Sequence, residues 1–244
     1  MSGESKRIMT TQDMDTTYTT RRGEIETYFD RTAAAAWSRL TSDAPVSGIR
    51  ATVRAGRDRM RATLLSHLPQ DLTGMRLLDA GCGTGALSIE AAARGAEVVA
   101  IDLSPTLVDL ARERSPKDLK GNITYLSGDM LDPRLGIFDH VVGMDSLIHY
   151  EMPDMIAMLA RLAAMSRHSV QVTFAPYTPL LGAMHLAGKL FPRSDRSPAI
   201  VPLRADKLHQ AIEQDPRFEG WAIGRDHRIN SSFYISHAQE LVRI

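Results

Sequence analysis

Four aspartates and a run of glycines carry most of the chemistry that can be read from this chain. The run is Leu78-Asp79-Ala80-Gly81-Cys82-Gly83-Thr84-Gly85. Glycines at that density let the backbone turn tightly and approach a ligand, and a helix that follows offers its N-terminal N–H groups. Alone, the run also satisfies a dinucleotide fingerprint, Gly81-x-Gly83-x-x-Ala86, which accepts alanine at its last position. The carboxylate of Asp79 argues against a pyrophosphate. Like charges a few ångströms apart repel by roughly 4 kcal/mol at an effective dielectric near 20. A ligand with an ammonium and a sulfonium, as S-adenosylmethionine has, is drawn to the same carboxylate. A carboxylate that only caps the loop backbone is the alternative.

Asp102 ends the apolar run Val98-Val99-Ala100-Ile101, where a carboxylate accepts hydrogen bonds from both hydroxyls of a ribose. Asp129, in Ser127-Gly128-Asp129-Met130, follows a third apolar run, where an adenine would lie, and Asp145 follows a fourth. Single aspartates after strands usually cap helices. Four in this order converge on the crevice of a topological switch point. The expected cofactor set is Asp79, Ala80, Gly81, Cys82, Gly83, Asp102, Leu103, Asp129, Met130, Asp145 and Ser146. His149, just beyond the fourth run and facing the crevice, is the catalytic candidate. A histidine bonded to loop backbone is the plainer reading of its position.

The elements that must hold these residues alternate. Strands are expected at 75–80, 97–101, 122–126, 138–144 and 169–174, with helices at 86–94, 104–114 and 153–165 between them. That order means βαβ units and a parallel, doubly wound sheet. Two further strands, 218–226 and 232–236, follow each other too closely for a crossover helix and should pair antiparallel. A helix at 205–214 precedes them, after a Pro- and Leu-rich insertion at 177–202. Upstream, helices are expected at 24–40 and from about 48 to 67, with residues before Thr20 reading as a late-ordering arm. The expected division is an N-terminal arm and helices over 1–70 and a main domain over 71–244.

Composition sets the outer limits. With 29 basic and 29 acidic residues among 244, nothing in the bulk charge points to nucleic acid. The single cysteine, Cys82, excludes an intramolecular disulfide and any multi-cysteine metal site, and fits a reducing cytoplasm. Residues 1–18 contain no signal-peptide core, and no uncharged apolar run is long enough for a bilayer. A cytoplasmic protein with at most peripheral membrane contact is expected.

The set 79–85, Asp102 and Asp129 resembles the Rossmann-like, seven-stranded S-adenosylmethionine-dependent methyltransferases over about 75–174, and the closing antiparallel pair is typical of them. A narrower resemblance covers nearly all of the chain after Gly23. Asp145-Ser146-Leu147-Ile148-His149-Tyr150, Phe174-Ala175-Pro176, Lys189-Leu190-Phe191-Pro192 and Phe233-Tyr234-Ile235-Ser236 look like the magnesium-protoporphyrin IX O-methyltransferases of (bacterio)chlorophyll synthesis. Tyr28-Phe29-Asp30, Trp37-Ser38-Arg39 and Val53-Arg54-Ala55-Gly56-Arg57 fit the same family. The chain departs from it at 33–36, four alanines where Gly-Phe is common. It also has Leu40-Thr41-Ser42 where a tyrosine is common, and a more basic 193–197.

The resemblance implies methyl transfer from S-adenosylmethionine to one propionate of magnesium protoporphyrin IX, giving a monomethyl ester for a photosynthetic pigment. Magnesium then belongs to the substrate, and no protein metal site is expected. The nucleophile, a carboxylate of pKa about 4, is ionised at neutral pH, so no general base is strictly required. His149 would hold the propionate through a ring N–H. Arg54, one of a stripe with Arg50, Arg57 and Arg61, would meet a carboxylate of substrate or cofactor, although a solvated helix face is the plainer reading of that stripe. Tyr28, Trp37, Phe174, Pro176 and Met184 are expected on the substrate, with 177–203 as a lid. The porphyrin-binding subunit of magnesium chelatase is the partner the resemblance suggests. The rivals are a methyltransferase for another small molecule such as a quinone-precursor phenol, a nicotinamide-dependent oxidoreductase, and an inactive cofactor-binding module.

Overall fold

A computed structural model describes residues 11–30, 48–178, 198–231 and 233–244. Seven strands form one sheet in the order β3-β2-β1-β4-β5-β7-β6. The first five, β1 (Arg76–Ala80), β2 (Glu97–Asp102), β3 (Asn122–Ser127), β4 (Phe138–Gly143) and β5 (Ser166–Phe174), run parallel. The last two, β6 (Trp221–Ser231) and β7 (Tyr234–Arg243), form a hairpin whose β7 pairs antiparallel with β5. Strand order reverses between β1 and β4, and that is where a crevice opens at the carboxyl ends of the strands.

The helices are α1 (Thr11–Tyr28), α2 (Gly48–Ser66), α3 (Ala86–Ala93), α4 (Pro105–Arg114), α5 (Met152–Ala164) and α6 (Ala205–Gln214). Their apolar residues cover the two faces of the sheet as separate cores. Met60, Leu64 and Leu65 of α2 and Leu87, Ala91 and Ala92 of α3 pack with Leu77, Val98 and Val142. Met155, Leu159 and Leu162 of α5 and Leu208 and Ile212 of α6 pack with Leu78, Val141, Val170 and Val172. Each such Leu or Met, when fully buried, contributes roughly 1.5–3 kcal/mol relative to an exposed position. Neighbours such as Leu77 and Leu78 go to opposite cores because successive strand side chains point to opposite faces. Local signals set helix starts: Ser104 caps α4, its Oγ accepting from Leu107 N–H at 3.3 Å, with Pro105 in the first turn.

Two expectations change. The helix expected over 24–40 lies outside the described residues from 31 on, and helix α1 starts at Thr11, within the stretch before Thr20 expected as a disordered or late-ordering arm. Its anchoring face is sparse: Tyr18 and Ile25 are buried two turns apart, and Thr17 Oγ1 donates to Asp154 at 2.8 Å on α5. The closing hairpin also lies later than expected, because Phe218 belongs to a single 3-10 turn, Pro216–Phe218, and β7 runs on to Arg243. Among the described residues no helix is long and apolar enough to cross a membrane.

Candidate active site

The glycine run leaves β1 and is tied at once to the end of β2. Gly81 and Cys82 N–H groups both donate to the Ile101 carbonyl, at 2.8 and 3.0 Å. Gly83 N–H donates to one oxygen of Asp102 at 2.9 Å, and Ser104 N–H to the other at 3.0 Å. Burial pushes the Asp102 carboxyl up from its ordinary range. Leu103 N–H acts on the same carboxylate, and three donors on four acceptor positions leave one for a further donor. Ala80 is wholly buried and Cys82 nearly so, leaving Gly81, Gly83 and Leu103 as the half-buried wall.

Gly81 is required for more than its turn. At φ +88° it sits so close to Ser146 that a Cβ would lie 2.3 Å from the serine's own Cβ. There the Ser146 Oγ is buried without a hydrogen-bond partner. Buried polar atoms are nearly always satisfied. One left open between a glycine turn and the end of β4 fits a ligand's polar group, and together with the open acceptor of Asp102 it suits a nucleoside with ribose hydroxyls.

Asp79 does not face the crevice as expected. Its carboxylate accepts from Ser88 Oγ on α3 at 2.5 Å, and only 2% of the residue is exposed. Burial, with Asp102 nearby, pushes its carboxyl up to about 7. The charge argument against a pyrophosphate therefore passes from Asp79 to its neighbours.

Asp129 and Asp145 are both engaged by distant side chains. Tyr18 Oη donates to Asp129 at 2.6 Å and Arg22 at 2.7 Å, both from α1, while Leu131 N–H donates at 2.9 Å. Met130 beside it is buried. Asp145 pairs with Arg57 of α2 and accepts from Tyr234 of β7. Within the arginine stripe Arg57 pairs with this crevice carboxylate, and Arg54, expected on a carboxylate of substrate or cofactor, is half-buried.

His149 is 5% exposed, and its ring stands 6.3 Å from that of Phe29. Its Nδ1 is 3.3 Å from the Ala199 carbonyl. A carbonyl only accepts, which assigns the proton to Nδ1 and leaves Nε2 of the neutral ring as an acceptor. Burial lowers the ring's pKa and keeps it neutral. The expectation that a ring N–H holds the propionate is corrected on this point: that N–H is spent on the backbone. The same return segment is zipped on by Val201 N–H to Ile148 O and Leu203 N–H to Ala175 O, both 2.8 Å.

The expected substrate residues divide. Tyr28 is half-buried and meets Phe29 edge-on at 5.2 Å, beside the His149 ring. Phe174 is wholly buried and stacks on His237 at 4.8 Å, and Pro176 is buried too, so both are framework rather than substrate wall. Strand alternation explains Phe174, which shares a face with Val170 and Val172. Trp37, Met184 and most of the expected lid lie outside the described residues. Tyr18, Arg22, Arg57 and Tyr234 enter the site without having been foreseen; only the family-like stretches around Arg57 and Tyr234 hinted at two of them.

Comparison with known proteins adds the following. A family model described as magnesium-protoporphyrin IX methyltransferase C-terminus matches residues 143–243, and one described as methyltransferase domain matches 77–169. A magnesium-protoporphyrin O-methyltransferase of Rhodobacter capsulatus is 49% identical over 228 residues, 93% of this chain and 99% of that protein. The crystal structure of magnesium protoporphyrin IX methyltransferase from Synechocystis PCC 6803 with bound SAH superposes with a TM-score of 0.77 at 27% identity, covering 92% of this chain and all of that one. A ubiquinone biosynthesis O-methyltransferase of Schizosaccharomyces pombe is 38% identical, but over 84 residues, 33% of this chain.

Proposed function

The chain belongs to the magnesium-protoporphyrin O-methyltransferases, and on that premise we propose that it esterifies one propionate of magnesium protoporphyrin IX with a methyl group. The observation that carries the proposal is likeness over 93% of the chain, where the quinone-precursor enzyme matches a third of it. S-adenosylmethionine, when bound, supplies a methyl group on a cationic sulfur. Asp102 suits the ribose hydroxyls, and Asp129 with Met130 suits the adenine. At the amino acid end Ser146 Oγ is the open polar partner, with the paired Arg57 and Asp145 behind it. Ala80, Gly81, Cys82, Gly83 and Leu103 let the backbone come close. Asp79 acts through Ser88 and α3, from behind the loop.

His149 works on the proton. A propionic acid carried into an apolar site has its pKa raised by desolvation, which favours the protonated form. Nε2 of a neutral His149 accepts that proton as the carboxylate oxygen meets the methyl group. Rate should therefore hold as pH drops through the ordinary histidine value of about 6.5 and fall only below it, because burial lowers the ring's own pKa. In-line placement and exclusion of water supply the rest, worth roughly 7–11 kcal/mol in favourable cases.

Ile49, Tyr177, Ile200 and Phe233 leave large apolar side chains exposed. Tyr177 and Ile200 flank the segment zipped onto the His149 loop, and Phe233 precedes Tyr234. Exposed apolar side chains of this size support Arg54 and Tyr28 as neighbours of a large flat ligand, and peripheral contact with a photosynthetic membrane. They also support hand-over by the porphyrin-binding subunit of magnesium chelatase. The pure protein mixed with S-adenosylmethionine and magnesium protoporphyrin IX should give a product heavier by one methyl group. No gain with the porphyrin, and a gain with a quinone-precursor phenol, would move the assignment to the rival.

A further inference from the structure

Three stretches set apart by their resemblance, 53–57, 145–150 and 233–236, meet at one carboxylate, that of Asp145. Arg57 of α2 pairs with it, Tyr234 Oη lies 3.0 and 3.1 Å from its two oxygens, and Ser236 Oγ is at 3.4 Å. Thr173 of β5 is bonded both ways: Asp145 N–H donates to its Oγ1 at 2.7 Å, and that hydroxyl donates back to the carboxylate at 3.1 Å. Four residues from three elements thus close on one side chain.

The backbone there is unusual. Asp145, at φ 57°, is the one non-glycine residue with positive φ among the described residues. That conformation is disfavoured for residues with a Cβ, and aspartate tolerates it when its side chain finds local hydrogen bonds. Gly56 brings the helix close enough to supply Arg57. A Cβ at residue 56 would lie 2.5 Å from Ser231 Oγ and 2.6 Å from Tyr234 Cδ1. Beyond Asp145 the loop has a wholly buried Leu147 and then His149, four residues on, so the ring's position starts from the Asp145 backbone.

We propose that Tyr234, Thr173 and Arg57 form a buried clasp on Asp145 that sets the 145–149 loop and so places His149 for methyl transfer. Tyr234 is a positioning residue, acting through His149 and touching neither cofactor nor acceptor. The proposal rests on the reading of His149 given above. It gives the stretch 233–236 a role that the cofactor site leaves unassigned.

The test is a double-mutant cycle of Tyr234→Phe with His149→Ala, following methyl transfer to magnesium protoporphyrin IX and S-adenosylhomocysteine binding by calorimetry. Tyr234→Phe keeps the ring and removes one hydroxyl. It should lower kcat about 10-fold, short of the ~10²-fold that a 1 Å misplacement can cost. Nucleoside affinity should stay within about twofold, and the effect should all but vanish in the His149→Ala background. Thr173→Val must repeat the pattern. Equal losses in both backgrounds, or a loss confined to nucleoside affinity, overturn the clasp. If the wild-type protein does not methylate the porphyrin, the functional reading fails instead. The ¹⁵N resonances of the His149 ring then decide the clasp: displaced by Tyr234→Phe they uphold it, unchanged they refute it.

Discussion

The two halves of the sheet's carboxyl rim hold their aspartates by different means. On the β1–β2 side, Asp102 is gripped by backbone N–H groups of the adjoining loops, and Asp79 by a serine nine residues along the chain. On the β4–β7 side, Asp145 is held by side chains 88 and 89 residues away, from α2 and β7. A short-range site is built as soon as its strand and turn form. A long-range one exists only when the whole domain has closed. Holding a nucleoside needs the first kind, and aiming a catalytic ring at an acceptor uses the second.

Removing the ring should separate the halves most sharply. His149→Ala is expected to lower kcat by about 10²–10⁴-fold, the range of a positioned acid or base, with S-adenosylhomocysteine affinity nearly intact by calorimetry. A parallel collapse of affinity would mean that the halves are one site. The converse is Asp102→Ala, which removes a ribose partner, a carboxylate whose hydrogen bonds are worth about 1.5–3 kcal/mol each. Nucleoside affinity should fall by up to about 10²-fold, while turnover at saturating cofactor recovers. If kcat stays depressed at saturation, the short-range half also aims the chemistry.

Asp79 tests whether that half is charged. The unfolded chain ionises this carboxyl near 3.8 and the folded protein only near 7. Between those values the folded state binds the extra proton, so stability is lost as pH rises from about 4 to about 7, then levels off. A displacement of that size corresponds to at most about 4 kcal/mol. Asp79→Asn should therefore gain on the wild type across the same window, in urea unfolding at pH 5 and pH 8. An equal difference at both pH values would show that the β1 carboxylate stays ionised. On the other half, Gly56→Ala should cost about 1–3 kcal/mol by overpacking, because its Cβ would meet Ser231 and Tyr234. A loss of turnover beyond the loss of fold is expected as α2 carries Arg57 away; full turnover in the folded fraction would argue against the clasp.

Legibility follows the same divide. Asp102, Asp129 and Asp145 could be placed from the chain because each ends an apolar run, and strand ends in a doubly wound sheet converge. The partners of Asp145 could not, since no local pattern reports a contact across 88 residues. The first part of helix α1 escaped notice because, among its described side chains, only Tyr18 and Ile25 are buried apolar points. Phe174 was legible but misread: the alternation through Val170 and Val172 already assigned it to the core.

Asp129 lies on the short-range side yet takes two partners from α1, so it sharpens the comparison. Of its four acceptor positions, Tyr18 and Leu131 N–H occupy those on Oδ1, and Arg22 takes one on Oδ2. One position remains for an adenine amino group, so the arm and the nucleoside need not compete. Tyr18→Phe keeps the ring stacked on Tyr150 at 5.6 Å and removes one hydrogen bond. The net cost should be about 1 kcal/mol, or roughly 2–4 °C in Tm for a chain of this length. S-adenosylhomocysteine affinity should change by less than about threefold, since the open acceptor on Oδ2 is untouched. A tenfold tightening would mean that the Tyr18 hydroxyl occupies the nucleoside's own place. Asp129 would then be a long-range site as well, with α1 displaced whenever the nucleoside binds.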